Sequence, residues 1–238
     1  MPDGSSRGLE ISPDVLQKLS GVLLTQQTLE EVLQLVVELA EASIPLADAA
    51  SVSVKTDGKR ITPASSKKMA MELDQLQYDN NEGPCVDAMT TGKEILSFPL
   101  ERARWRTFAT AAIADGVNGM YSLPLRAARD TIGALNLYSR SDHGPADKER
   151  DLGRMFAEQA AVVVANSAAF NDARRLSEQL QEALASRDLI GQAKGILMLR
   201  EGYGPHEAFD ALKKMSQDSN IKLRDVARQV VESAHKSK

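Results

Sequence analysis

Two glycines lie four residues apart in the run SRDLIGQAKGILMLREG, residues 186–202, which otherwise has the length and apolar content of a helix. In a helix interior each glycine costs about 1 kcal/mol relative to alanine. At about 100° per residue, Gly191 and Gly195 fall opposite an apolar stripe, and Arg187 and Lys194 line one edge of the bare backbone. Cations beside uncovered backbone are suited to contacting the phosphates of a nucleic acid.

A second pair of cations lies on the last predicted helix, where Arg224 and Arg228 fall together just outside the apolar face. Spacing alone supports two interpretations. In one, the glycines admit a neighbouring helix and the cations only solubilise the surface. In the other, a nucleic-acid backbone or an unstacked base approaches the glycines while the cations meet phosphates and base edges. The candidate nucleic-acid contacts are Arg187, Gly191, Lys194, Gly195, Arg224 and Arg228.

Few residues are arranged in a way that supports catalysis. Cys85 is the single cysteine, so thiol chemistry that needs a resolving partner is excluded. Cys85 is either a redox-sensing or cofactor-linking thiol, which requires an exposed electropositive setting, or a small half-buried residue at a helix start. His143, His206 and His235 lack the spacing of metal ligands, and we expect Trp105 in the core or a pocket wall. Without a GxxxxGK loop or a nucleophile elbow, we expect no enzyme, no catalytic residue, no metal and no cofactor.

The composition is that of an ordinary globular protein, with 42% apolar and 26% charged residues among 238. A formal net charge of -4 gives no global attraction for anions, so an anionic partner must meet a local cationic patch. Residues 176–238 hold ten Lys and Arg against nine Asp and Glu, and residues 1–175 hold nineteen against twenty-four. The longest apolar run, 160–165, is far too short to span a bilayer, and no apolar signal region opens the chain. We expect a cytoplasmic protein without a membrane segment.

The part of the chain before residue 145 mixes predicted helices and strands. A disordered N-terminus over 1–13 is followed by a helical section broken near Thr25, where Thr28 and Glu31 form a capping-box pattern. Gly83-Pro84 can start a helix that Gly92 ends. Further helices are predicted near 67–78 and 104–114, and strands at 50–55, 60–64, 94–98, 121–126 and 131–139. This order predicts an α+β fold, an antiparallel sheet sandwiched by helices.

From Pro145 the pattern predicts one helix of about 40 residues or more. Apolar residues recur every seven positions at Phe156, Val163, Phe170 and Leu184, with Ser177 between the last two, although the partner positions are not consistently apolar. The first half is expected to pack on the sheet. The second half, with Leu176, Leu180 and Leu184, predicts either coiled-coil dimerisation or an intramolecular packing face. Past Gly202, two helices complete a C-terminal three-helix bundle.

The run ALASRDLIGQAKGILMLREGYGPHEAFDALKKMSQDSNIKLRDVARQVV resembles the ANTAR domain, the RNA-binding module of AmiR and NasR type transcription antiterminators. The similarity covers 176–236 and is carried by IGQAKGILM, AF..L and L.DVA. The family's small and aromatic positions correspond to Ala193, Ala208, Phe209 and Ala227, which the helical pattern places in the core. The resemblance implies a dimer that binds paired RNA hairpins and prevents a terminator from forming.

Residues 14–170 resemble a GAF domain, a sensory module that binds small ligands in some families and only mediates dimerisation in others. The motifs are NEGPCVDAMTTGKEI, the Trp105 region and GMYSLPLRAARDTIGALNLYS. No acidic doublet ends a first strand, which argues against a phosphoreceiver domain. A coiled-coil linker helix over 171–185 is expected to join the GAF-like domain to the ANTAR-like domain.

Together these features predict a homodimeric regulator in which the GAF-like domain senses a small molecule or a partner, and the tail binds RNA hairpin loops in nascent transcripts. The alternative is a ligand-gated module whose helical tail binds protein. RNA binding would weaken steeply with salt and would be competed by short hairpins, whereas protein binding would not.

Overall fold

The computed structural model describes residues 28–236. The predicted disorder over 1–13 and the helical section ending near Thr25 lie outside the described residues. The chain divides into two compact units, the first ending at Ala168 and the second beginning at Ala169. Each unit has its own hydrophobic core.

A five-stranded sheet forms the centre of the first unit. All neighbouring strands in it are antiparallel, as predicted, and their order is β2-β1-β5-β4-β3. Val52 pairs with Leu135, and Leu135 pairs with Leu123, so one apolar row crosses three strands. The strands are β1 Ala49–Thr56, β2 Lys59–Ser65, β3 Ile95–Ser97, β4 Gly119–Ala127 and β5 Asp130–Ser139.

Helices cover both faces of this sheet. They are α1 Leu29–Ser43, α2 Lys68–Asn80, α3 Pro84–Thr91, α4 Arg106–Ala114 and α5 Asp147–Glu201. Because side chains alternate along a strand, Tyr121 and Leu123 of β4 pack with α1 and the start of α5, whereas Met120 packs with α2, α3 and α4. The predicted sandwich of sheet and helices is thus confirmed.

Short sequence signals fix the ends of these elements. Thr28 and Glu31 exchange the two hydrogen bonds of a capping box at the start of α1. Pro84 occupies the first turn of α3, and Gly92 ends that helix in the left-handed conformation. Gly133 permits the close approach of β5 to β1, because a Cβ there would lie 2.2 Å from the carbonyl oxygen of Ser53.

The long helix α5 runs unbroken for 55 residues and includes both glycines of the opening motif. Two helices follow, α6 Pro205–Ser219 and α7 Leu223–Lys236. Buried residues from the end of α5, from α6 and from α7 form the core of the second unit: Ala193, Leu212, Val226, Ala227 and Val230. The predicted long helix and C-terminal three-helix bundle are confirmed.

Among residues 28–236, the predicted seven-residue repeat on α5 does not form one continuous packing face. Phe156 is buried against the sheet and Val163 is partly buried there, but Phe170 and Leu184 are exposed. Every residue from 168 to 185 is exposed. No helix among residues 28–236 combines the length and the apolar content that crossing a membrane requires.

Candidate nucleic-acid interface

The glycine strip, defined as the backbone of Gly191 and Gly195, is exposed on α5. A Cβ atom built on either residue would meet nothing within 4 Å. The described part of the chain therefore has no element that uses these glycines for close packing. The helix therefore tolerates a cost of about 1 kcal/mol per glycine without a packing contact among residues 28–236 that requires it.

By rotation along the continuous helix α5, Arg187 and Lys194 fall at one edge of the strip. Arg187 is exposed and makes no ion pair with any other residue in the described range. Lys194 is half-buried, and its Nζ lies 5.8 Å from the centre of the Phe209 ring on α6. Lys213, one turn after Phe209, places its Nζ 5.0 Å from the same ring centre. We call Phe209 with these two lysines the aromatic platform.

The expectation that Phe209 is a core residue is wrong. Ala208 is fully buried, whereas Phe209 is only half-buried. Ala208 and Leu212 are four residues apart and share the inner face of α6, but Phe209 lies about 100° further round, at the rim. The i, i+4 spacing of Phe209 and Lys213 is a sequence pattern that could have indicated a contact between this ring and a cation.

Arg224 and Arg228 form a separate group on α7. Arg224 pairs with Glu182 of α5 and lies 3.9 Å from Asp225. Arg228 Nη1 lies 2.9 Å from Asp225 Oδ1. Glu182 is about 180° around α5 from Gly191 and about 140° from Gly195, so the carboxylate that pairs with Arg224 lies away from the glycine strip. The six predicted contacts form two groups.

One lysine of the aromatic platform, Lys213, forms an ion pair with Asp210 of the same helix. Lys213 Nζ lies 2.6 Å from Asp210 Oδ1, and this hydrogen bond lowers the pKa of the Asp210 carboxyl. Both side chains are largely exposed, and such pairs contribute only about 0–1 kcal/mol. An anion that binds Lys213 can therefore replace Asp210 at a small cost in free energy.

The interior of the first unit holds a polar cluster around Asp74. Asp74 Oδ1 accepts hydrogen bonds from Tyr138 Oη at 2.5 Å and Asn136 Nδ2 at 3.0 Å, and Oδ2 accepts one from Thr62 at 3.1 Å. Burial outweighs these bonds and raises the pKa of Asp74 to about 6. In the described range, no group of three or more His, Cys, Asp and Glu residues is placed to hold a metal ion.

Cys85 lies in the same interior at the start of α3. It is fully buried, its Sγ donates to Ser53 Oγ at 3.2 Å, and burial raises the pKa of its thiol to about 12. A buried neutral thiol is a poor nucleophile, which opposes the redox-sensing interpretation. Trp105 is 2% exposed and its indole N–H donates to Asp87, so its assignment to the core is confirmed.

Comparisons with protein families match one family to each of the two compact units. A model described as GAF domain matches residues 26–165, and a model described as ANTAR domain matches residues 178–231. A Nitrate regulatory protein from Klebsiella oxytoca is 32% identical over 87 residues, which are 35% of this chain and 22% of that protein. The chain thus spans about a fifth of this relative's length.

Solved structures resemble the first unit. The GAF domain from an Acinetobacter phosphoenolpyruvate-protein phosphotransferase has a TM-score of 0.51 at 12% identity and covers 66% of this chain and 93% of that one. A domain of a protein described as a two-component sensor histidine kinase from Sinorhizobium meliloti 1021 has a TM-score of 0.52 at 16% identity, covering 63% and 99%. At these identities the likeness shows a shared fold.

Proposed function

Because the chain belongs to the GAF domain family and carries an ANTAR domain after it, we propose that it is a cytoplasmic transcription antitermination regulator. In this proposal the ANTAR domain binds RNA hairpins under control of the GAF domain, and the chain is not an enzyme. The partial match to a nitrate regulatory protein supports a regulatory role. By holding the hairpins, the protein stabilises an RNA fold that competes with the terminator.

The observation that carries the proposal is the exposed strip of Gly191 and Gly195 bordered by Arg187 and Lys194. Backbone without side chains lets a nucleic acid approach closely, and the two cations reach its phosphates. A net charge of -4 means that attraction for RNA must arise from a local group of cations, and Arg187 and Lys194 are the group we propose. Hairpin loops suit this surface because their bases are unstacked, whereas the major groove of A-form RNA is too narrow for side chains.

Arg224 and Arg228 supply a second set of contacts in this proposal. Both are engaged by carboxylates of the same unit in the unbound chain. Exposed ion pairs contribute only about 0–1 kcal/mol, and a guanidinium binds phosphate or a guanine edge through two parallel hydrogen bonds. RNA can therefore displace Glu182 and Asp225 from these arginines at small cost.

The proposed dimer forms along the exposed part of α5, residues 168–185. A single helix exposed on all sides is marginal in water, since most helical stability comes from packing an apolar face. Alternating spacings of four and three residues, which define a coiled-coil seam, relate Ala169, Ala173, Leu176, Leu180 and Ala183. A second copy of this helix is the occupant we propose, and two copies allow two hairpins to be held at once.

Control by the GAF domain is proposed to pass through α5. This helix contributes Phe156 to the core of the first unit and Ala193 to the core of the second. A ligand or partner that alters how α5 packs on the sheet would change the pairing of the two copies of α5, and thereby the spacing of the two RNA surfaces.

The test is recovery of RNA crosslinked to the chain in cells, followed by single-round transcription of the recovered leader with purified protein. We expect enriched transcripts with hairpins upstream of terminators, and more read-through when the protein is added. A Lys194→Ala variant should lower both effects, with Lys214→Ala, an exposed lysine elsewhere on α6, as the matched control. Recovery of a protein partner with no enriched RNA would favour the ligand-gated protein-interaction module.

A further inference from the structure

The aromatic platform is an unusual feature in a chain with 4% aromatic residues. Phe209 lies at the rim of α6, half-buried, with two ammonium groups 5.8 and 5.0 Å from its ring centre. Both distances fall within the range of cation–π contacts, about 6 Å. Phe108 and Phe156, in contrast, are fully buried in the first unit. Phe170 and Tyr203 of the second unit are exposed as well, but both cation–π contacts described for this unit fall on the Phe209 ring.

The platform adjoins the glycine strip, because Lys194 belongs to both. It follows Gly191 by three residues and precedes Gly195 by one. A nucleic-acid backbone that follows the strip and contacts Lys194 therefore has the Phe209 ring beside it. Rings at such positions in RNA-binding surfaces serve as stacking partners for unpaired bases.

We propose that Phe209 is a stacking platform for one unpaired base of the bound hairpin loop, with Lys194 and Lys213 contacting the phosphates on either side of that base. The inference rests on the proposed function and specifies how the loop is held. Stacking on Phe209 would distinguish open loops from paired stems, because a base paired within an RNA stem is not free to leave its neighbours and stack on the ring.

In this proposal the ammonium group of Lys213 leaves the Phe209 ring when a base stacks there. Its side chain is 47% exposed and is held by an exposed pair with Asp210, so it moves at little cost. Stacking of a base on an aromatic ring is stronger than an exposed cation–π contact. An arriving base therefore displaces the ammonium group, which remains close enough to pair with a phosphate.

The experiment uses the full chain and a hairpin selected in vitro against it from a library with a randomised loop. 2-Aminopurine is placed at each loop position in turn, and its fluorescence and the affinity are measured for wild type, Phe209→Leu and Phe209→Trp. We expect one position to be quenched on binding to wild type. Phe209→Leu should lose that quenching and bind about fivefold to a hundredfold more weakly, while Phe209→Trp retains both.

Salt dependence separates stacking from charge. Phe209→Leu removes no cation, so the slope of log affinity against log salt should stay unchanged, whereas Lys213→Ala should reduce it by about one. Met215→Ala, an exposed apolar residue on the same helix, is the matched control and should bind as wild type does. Far-UV circular dichroism reports whether each variant folds, and the quenching in wild type does not depend on any variant.

The outcomes distinguish the two levels of the proposal. If selection enriches no hairpin for the wild-type chain, the proposed RNA-binding function fails. If the wild type binds a hairpin but no loop position is quenched, or if a folded Phe209→Leu variant binds equally well, RNA binding stands and the stacking role of Phe209 is overturned.

Discussion

Replacing both Gly191 and Gly195 by alanine should make the protein more stable and a worse RNA binder. The two residues lie within α5 and a Cβ at either position meets nothing within 4 Å, so the added methyl groups fit the isolated chain without strain. Alanine improves helix stability by about 1 kcal/mol over glycine. The double variant should therefore gain about 2 kcal/mol in the unfolding of the second unit.

The expected loss of affinity follows from the same geometry. In the proposed complex the methyl groups would stand between the helix backbone and the RNA. Inserting methyl groups into a close-packed contact costs about 1–3 kcal/mol, which corresponds to about fivefold to a hundredfold weaker binding. The salt dependence of the affinity should not change, because no charge is altered.

Urea denaturation followed by circular dichroism measures the stability, and fluorescence titration with a selected hairpin measures the affinity. Gln192→Ala, an exposed substitution between the two glycines, is the control. Increased stability with unchanged affinity would remove the strip from the RNA-binding surface. Decreased stability would show that the glycines serve a packing contact that residues 28–236 do not contain.

Three further predictions concern other parts of the chain. Because the pKa of Asp74 is raised from 3.8 to about 6, the folded chain binds more protons than the unfolded chain between these values, and stability falls by about 3 kcal/mol as pH rises through them. Asp74→Asn should abolish this component in urea titrations at several pH values, and the exposed control Asp115→Asn should retain it. Cys85 should react with iodoacetamide at least about a hundredfold more slowly in the native chain than in urea, and equal rates would contradict its burial. Leu176→Ala with Leu180→Ala should raise the dissociation constant of the proposed dimer at least about tenfold in sedimentation experiments, and an unchanged constant would contradict a dimer contact at these leucines.

Local sequence patterns were sufficient to predict the sheet and the long helix. Alternating apolar residues identified the strands, and the capping box of Thr28 and Glu31 marked the start of α1 within the described residues. The serines of β1 were harder to assign, since alternation of valine and serine is typical of a strand with one wet face. Ser51 and Ser53 are fully buried because helices cover both faces of the sheet. Asn136 Nδ2 donates hydrogen bonds to both hydroxyl groups.

The candidate site was only partly predictable, because it depends on contacts between distant segments. The strip and its two cations follow from rotation along one helix. The pairing of Arg224 with Glu182 joins residues 42 positions apart, and no periodicity reports it. Phe209 was wrongly predicted to lie in the core. It follows the buried Ala208 by one residue, and the sequence pattern does not show which of these two neighbours α6 turns toward the rest of the bundle.

The most direct test of the central claim is to locate the RNA on the protein. Ultraviolet crosslinking of the full chain to a selected hairpin, followed by mass spectrometry, identifies the peptides that carry nucleotide adducts. We predict adducts on peptides that contain Lys194 or Phe209, and their loss when an unlabelled hairpin competes. Adducts confined to residues 28–168, or none at concentrations where the hairpin is bound, would contradict the assignment of RNA binding to this surface.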